Sequence, residues 1–284
     1  MDKYHLIVDV ALCENCCNCF LAVKDEYCGN DFHGYSVSQP NHGHRWFDVK
    51  EKERGSGSLM DVAYLPVTCN QCSNAPCVRA ASDGAITQRN DGIVMIHSDL
   101  AKGQRQLVDS CPYGHIWWNE DKQLPQKWSF DAHLLDAGWK EPRPVQSCAT
   151  AALTCVKSSD AEMTARSERE GLEVLHPEFG TQPRVWYKNL YRFRDAFIAG
   201  TVTVVENGKN ECAADVDVTL SRNGDVVKQV KTTCFGDFKF DRLPEKSGAY
   251  SITVTSAEGV SEFLEVNLSE SINLGEILLK TTHP

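Results

Sequence analysis

The sequence predicts an α+β chain in which a cysteine-rich part of short strands, helices and loops precedes an all-β sandwich. Three observations carry this. Eleven of the thirteen cysteines fall within residues 1–155. Strand-like runs in that part, 6–10 and 93–96, are separated by Gly, Pro and Asn turns, with Asn90-Asp91-Gly92 ahead of the second. Beyond residue 195, the runs 201–205, 216–220, 226–231, 237–240, 250–255 and 263–266 alternate or are rich in β-branched residues. They are spaced by the turns Asn207-Gly208, Asn223-Gly224-Asp225, Phe235-Gly236-Asp237, Ser247-Gly248-Ala249 and Glu258-Gly259.

Three regions follow. Residues 1–155 form the cysteine domain, 156–195 a connector and 196–284 the sandwich. Within the connector, Ser159 with Glu162 reads as a capping box opening a surface helix that ends at Gly171. The stretch 183–193 is dense in aromatic and basic residues and suits either core packing between domains or a partner's docking surface. In the last region, Thr233-Cys234-Phe235-Gly236-Asp237-Phe238 followed by Gly248-Ala249-Tyr250 resembles transthyretin-like and carboxypeptidase-regulatory-like domains.

Composition narrows the function. At 284 residues, with 42% hydrophobic and 24% charged residues, the chain is globular. A formal charge of −10 argues against nucleic-acid binding, which needs a basic face. No apolar run reaches the ~18–20 residues of a membrane helix. The start, Met1-Asp2-Lys3-Tyr4-His5, resembles neither a secretory nor a twin-arginine signal, so the expected compartment is the cytoplasm, with co-export alongside a signal-bearing partner left open. Clustered cysteines in a reducing compartment point to metal rather than disulfides. No nucleophile elbow, phosphate loop, dinucleotide fingerprint or zinc-hydrolase helix is present, so catalysis is expected in a partner rather than in this chain.

The cysteine spacing is specific. Cys13, Cys16 and Cys19 form one Cys-x2-Cys-x2-Cys set, and Cys69, Cys72 and Cys77 form a second with Pro76 before its last member. Three closely spaced thiolates present one face to a [4Fe–4S] cube and a remote cysteine completes it. In two-cluster ferredoxins the fourth cysteine of each run serves the other cluster, and Cys111-Pro112 has that form. It is therefore assigned to Cys69, Cys72 and Cys77. The remaining positions of such a double run, 81, 101, 104 and 107, hold Ala81, Ala101, Gln104 and Leu107. One cluster's ligands are gone together while the other's remain, which supports the crossed pairing.

Four ferredoxin-type cysteine groups in one chain resemble the electron-transfer subunits of the dimethyl sulfoxide reductase family of molybdopterin enzymes. The resemblance is closest to the small subunits of pyrogallol–phloroglucinol transhydroxylase-like enzymes and their resorcinol- and catechol-acting relatives. It rests on Gly43-His44-Arg45-Trp46, Ala75-Pro76-Cys77-Val78, Asp91-Gly92-Ile93-Val94, Cys111-Pro112-Tyr113-Gly114, Ala132-His133-Leu134-Leu135-Asp136, the segment 183–193 and the appended sandwich. The family pattern implies that Trp128, Asp131 and Pro144 replace three cysteines and Val23 a fourth, and that Cys148 survives as the remote ligand of Cys13, Cys16 and Cys19. It also implies a double ferredoxin-like fold and a large subunit holding molybdopterin guanine dinucleotide with molybdenum or tungsten. Where the wider family carries four clusters, this chain keeps ligands for two [4Fe–4S] clusters: Cys13/Cys16/Cys19/Cys148 and Cys69/Cys72/Cys77/Cys111.

Bland readings compete with several of these. A four-cysteine zinc site is the alternative to a cluster, although zinc favours two Cys-x2-Cys knuckles. A redox subunit for an unrelated oxyanion or sulfur substrate is the alternative assignment of function. Cys17, Cys28 and Cys155 are alternative fourth ligands for the first set, a three-iron cluster is the other alternative there, and with Cys212 and Cys234 these cysteines otherwise read as small buried residues. Asp131 could bind iron in principle, but without its would-be co-ligands it reads as a solvated or hydrogen-bonded carboxylate. His42 and His44 read as loop or interface residues, and His115 and His133 as neighbours that tune sulfur through hydrogen bonds.

Overall fold

The computed structural model describes residues 1–206, 208–256, 259 and 261–279. It forms two compact units: Met1–Lys50 with Tyr64–Leu190, and Glu51–Ala63 with the chain from Tyr191 onward. Residues 156–190, which the sequence suggests as a connector, thus lie inside the first unit, and 51–63 lie inside the second.

The first unit is organised on the strand Lys3–Asp9, whose Leu6, Ile7 and Val8 are buried. Such an unbroken apolar run suits a strand covered on both faces and paired on both edges. Leu153–Ser158 pairs with it antiparallel and Val185–Lys188 parallel. The antiparallel partner leads into the helix Asp160–Glu170 through the expected capping box, in which Ser159 and Glu162 each accept the other's backbone N–H. That helix ends on Gly171 in the left-handed conformation, as the sequence suggests, and Met163 and Leu172 close over Ile7.

Three two-stranded ribbons follow: Phe47–Ser56 with Leu59–Thr68, of which residues 51–63 belong to the second unit, and, within the first unit, Ile86–Gln88 with Val94–Ile96 and Trp117–Asn119 with Leu124–Gln126. The second ribbon turns at Asn90-Asp91-Gly92, with Gly92 at φ +87°. A Cβ on Gly92 would stand 2.7 Å from Nε of Arg184. That buried arginine donates to Asp160 Oδ1 at 2.9 Å and Ser73 Oγ at 2.7 Å, and its backbone N–H donates to Asn70 O at 2.8 Å. It pins the strand Val185–Lys188 to the loop that carries Cys69 and Cys72.

The second unit holds two four-stranded sheets. In one, Ala196–Glu206 pairs antiparallel with Lys209–Cys212 and Asp237–Leu243, and parallel with Ile272–Leu279. In the other, the order is Asp225–Lys231, Asp217–Arg222, Gly248–Thr255, Ser261–Leu268. Ile198, Val202, Phe240, Val218, Ile252 and Val254, drawn from both sheets, belong to one apolar core. All six expected runs are strands; Lys209–Cys212 and Ile272–Leu279 were not foreseen. Asn207 and Glu258, expected in turns, lie outside the described residues.

Gly236 sits at φ +78°, and a Cβ there would run into the carbonyl oxygen of Val202. Gly236→Ala is expected to destabilise the second unit by about 2–4 kcal/mol through strain and lost register. Urea unfolding reads this directly, and an unchanged midpoint would contradict the packing described.

Candidate metal centres

Two groups of cysteines gather in the first unit, both built from loops that interrupt its ribbons and short helices. All thirteen cysteines are free thiols. Cys69 and Cys72 lie in the loop after Leu59–Thr68, Cys77 opens the helix Pro76–Ala80, and Cys111 follows the 3-10 helix Arg105–Ser110. Pro76 starts its helix without an N–H to lose, which fixes where Cys77 points. These four cysteines line one small cavity. Ala75, Pro76, Val94 and Ile116 supply apolar wall, with Asn70 and Lys127 as its buried polar members.

The environment of these sulfurs is dry. Burial pushes the Cys72 thiol up to about 12 and Cys77 to about 11, and it also raises Cys111. Neighbouring thiols add to each rise, because several anions would share one cavity. Such a set ionises together only around a cationic group. Hydrogen bonds are in place for the ionised sulfurs: the His115 backbone N–H donates to Cys111 Sγ at 3.5 Å, and the Thr181 hydroxyl donates to Cys72. Tyr113 OH lies 2.6 Å from Thr181 Oγ1 and holds that hydroxyl in place.

The other group forms around the start of the helix Asn18–Tyr27. Cys13, Cys16 and Cys17 lie in the loop ahead of it, Cys19 is in its first turn, and Cys148 follows the helix Arg143–Gln146. Asn18 Nδ2 donates to Ser147 O at 3.1 Å, which ties the Cys148 loop to that helix. Burial raises Cys13 and takes Cys19 up to about 12, and Cys16 and Cys148 act electrostatically on both. The four expected residues are therefore neighbours. Cys17 also acts on Cys13, whereas Cys28 caps the far end of the helix, Cys155 sits in a strand, and Cys212 and Cys234 are exposed in the second unit. Among the described residues no three His, Cys, Asp or Glu side chains converge closely enough to hold a single metal ion. Four thiols lining one largely apolar pocket are the kind of donor set that a thiolate-ligated iron–sulfur group takes.

The family model for a 4Fe-4S dicluster domain matches residues 60–175. The chain is 40% identical over 283 residues to the pyrogallol hydroxytransferase small subunit of Pelobacter acidigallici, covering 98% of this chain and 100% of that one. This chain belongs to the iron–sulfur subunit family of molybdopterin oxidoreductases. Its role is electron transfer through iron–sulfur clusters. A tetrathionate reductase subunit of Salmonella typhimurium is 30% identical, covering 69% of this chain and 75% of that one. A putative dimethyl sulfoxide reductase iron-sulfur subunit of Halobacterium salinarum is 28% identical, covering 66% and 80%.

Within this iron–sulfur subunit, several positions where the family pattern implies further cysteines are occupied by packed side chains. Ala81, Ala101 and Leu107 share one apolar cluster with Cys72 and Cys77, while Gln104 stays outside it and bonds Leu100 O at 2.9 Å. Asp131 is fully buried, accepting from Trp128 Nε1 at 2.7 Å, Tyr27 OH at 2.8 Å and the Arg143 backbone N–H at 2.9 Å. Tyr27 lies one turn beyond Val23, and Arg143 precedes Pro144. Of the two alternatives for Asp131, the hydrogen-bonded carboxylate is the one observed. His133 faces Glu26 Oε1 at 2.8 Å and stacks on Phe32. His44 bonds Trp118 O at 2.9 Å, and His42 is exposed. The polar members Asn70, Lys127 and Thr181 were missed, since no spacing rule marks them.

Burial raises the Asp131 pKa, so the native state holds that proton more tightly than the unfolded chain. Its stabilising contribution is complete below the unfolded carboxyl value of ~3.9 and fades as pH rises through the folded value. Asp131→Asn should flatten this part of a pH–stability curve measured by urea unfolding; an unchanged slope would contradict the assignment. Tyr27→Phe should cost about 1–3 kcal/mol by stripping a donor from a buried carboxylate.

Proposed function

We propose that this chain binds two [4Fe–4S] clusters, one on Cys13, Cys16, Cys19 and Cys148 and one on Cys69, Cys72, Cys77 and Cys111. It exchanges electrons with a large subunit holding molybdopterin guanine dinucleotide and molybdenum or tungsten, and that subunit acts on polyhydroxylated aromatic rings. The reaction class is transhydroxylation of the pyrogallol–phloroglucinol type or reductive dehydroxylation of a catechol-type ring. The observation that carries this reading is the end-to-end match to a pyrogallol hydroxytransferase small subunit, where the tetrathionate and dimethyl sulfoxide relatives cover about two thirds of the chain. The second unit belongs, on this reading, to the transthyretin-like class, and the complex works in the cytoplasm. No helix among the described residues is long and apolar enough to cross a membrane.

When bound, each cluster supplies one-electron transfer. The protein's part is to hold it and exclude water. Cys69, Cys72, Cys77 and Cys111 would hold it within a largely apolar lining. The His115 N–H and the Tyr113–Thr181 hydroxyl pair would stabilise charge on Cys111 and Cys72, which favours the reduced state. In a transhydroxylation, which has no net redox change, clusters held by these cysteines would serve to set the oxidation state of a partner's metal, and in a dehydroxylation they would supply electrons for turnover.

Anaerobic purification of the native complex should bring down a large molybdenum- or tungsten-containing subunit. Cys111→Ser and Cys148→Ser should each remove a different one of two reduced EPR signals. Survival of both signals in Cys111→Ser would overturn the ligand assignment, and zinc in place of iron would overturn the function.

A further inference from the structure

A single positive charge looks into the cavity bounded by Cys69, Cys72, Cys77 and Cys111. It belongs to Lys127, which lines that cavity and is 4% exposed. The Lys127 ammonium donates to the carbonyl oxygens of Val94 and of Trp128, the latter at 3.1 Å. That uses two of its three protons and neutralises nothing. No carboxylate among the described residues pairs with it. A buried lysine in apolar surroundings normally sheds its charge or finds an anion. The candidate anion here is the sulfur set, which lines the same cavity as Lys127.

Asn70 adds an independent observation. It lines the same cavity, is 2% exposed, and has no hydrogen-bond partner for either its side-chain nitrogen or its oxygen. Its backbone carbonyl is already taken by the Arg184 N–H, so the loop is held with this amide facing the void. Native structures rarely leave a buried amide unpaired, and an acceptor in the cavity would satisfy its N–H. A buried cation and an unpaired donor on one wall form a receptor for an anionic, sulfur-rich group.

We infer that Lys127 is the fixed counter-ion of the group held by Cys69, Cys72, Cys77 and Cys111, and that with the Asn70 amide it raises that group's reduction potential. This rests on the cluster reading above. A thiolate-bound iron–sulfur cluster is anionic, and the electron it accepts from a donor adds negative charge without breaking a bond. A nearby fixed ammonium stabilises the reduced state more than the oxidised one, and the low-dielectric wall strengthens that difference.

The test is a dithionite potentiometric titration followed by EPR, on the complex purified anaerobically with its partner. In Lys127→Met one cluster should become harder to reduce, its reduced-to-oxidised ratio at fixed potential falling on the order of tenfold, ~59 mV for a one-electron couple. The other cluster is the internal control and should not move. Lys127→Gln, which keeps a donor for the carbonyls, should shift the same cluster and carries the test if the Met variant does not fold. Lys127→Arg should keep the wild-type potential. Two unmoved clusters in a neutral variant would overturn the inference while leaving the cluster reading intact. Selective loss of one cluster in both neutral variants but not in Lys127→Arg would support the counter-ion, and its loss in all three would overturn it. Wild-type protein without iron would instead remove the cluster reading itself.

Discussion

Several sulfurs from separate loops have to meet around one space, and much of the first unit is arranged by that requirement. Buried thiols resist ionising side by side, so they are useful as ligands only where a cationic core draws them together. The scaffold keeps their loops fixed by ordinary means: Pro76 starts one helix, Arg184 clamps the Cys69–Cys72 loop, and Asn18 ties the Cys148 loop to its neighbour. Each of these fixes backbone, which leaves the sulfurs free to face inward.

The positions without cysteines follow the opposite logic. Where the family pattern would place further ligands, Gln104 stays outside the core, while elsewhere the chain has apolar side chains that close it, as Ala81, Ala101 and Leu107 do, or a buried carboxylate that collects three donors, as Asp131 does. Both solutions satisfy burial without metal, one by removing polarity and the other by pairing it. Charge at the retained site is treated differently. There the polar members, Lys127 and Asn70, are left facing a void rather than paired with each other or with a carboxylate.

What could be read from the sequence is what local rules encode. Cysteine spacing pointed to Cys13, Cys16 and Cys19 and to Cys69, Cys72 and Cys77 with the distant Cys111, because ligand sets leave a pattern that survives loop variation, whereas Cys148 came only from the family resemblance. The Ser159–Glu162 capping box, the Asn90–Gly92 turn and six strands were legible for the same reason. Long-range pairing was not. Val185–Lys188 looks aromatic and basic in sequence, and only its parallel pairing with Lys3–Asp9 makes it a strand of the first unit's central sheet. Lys209–Cys212 is exposed and polar, and Ile272–Leu279 has a glycine at 275, so neither shows a clean period of two. Lys127 and Asn70 are single residues whose meaning depends on which wall they join.

The central claim is that this chain keeps two four-iron sites, with side chains filling the places of the others. Iron and acid-labile sulfide per chain, measured on anaerobically purified protein, test it most directly. The account predicts about eight of each, as two [4Fe–4S] clusters require. About four would mean that Cys148 does not complete the first set, and a value near sixteen, or zinc alone, would contradict the account outright.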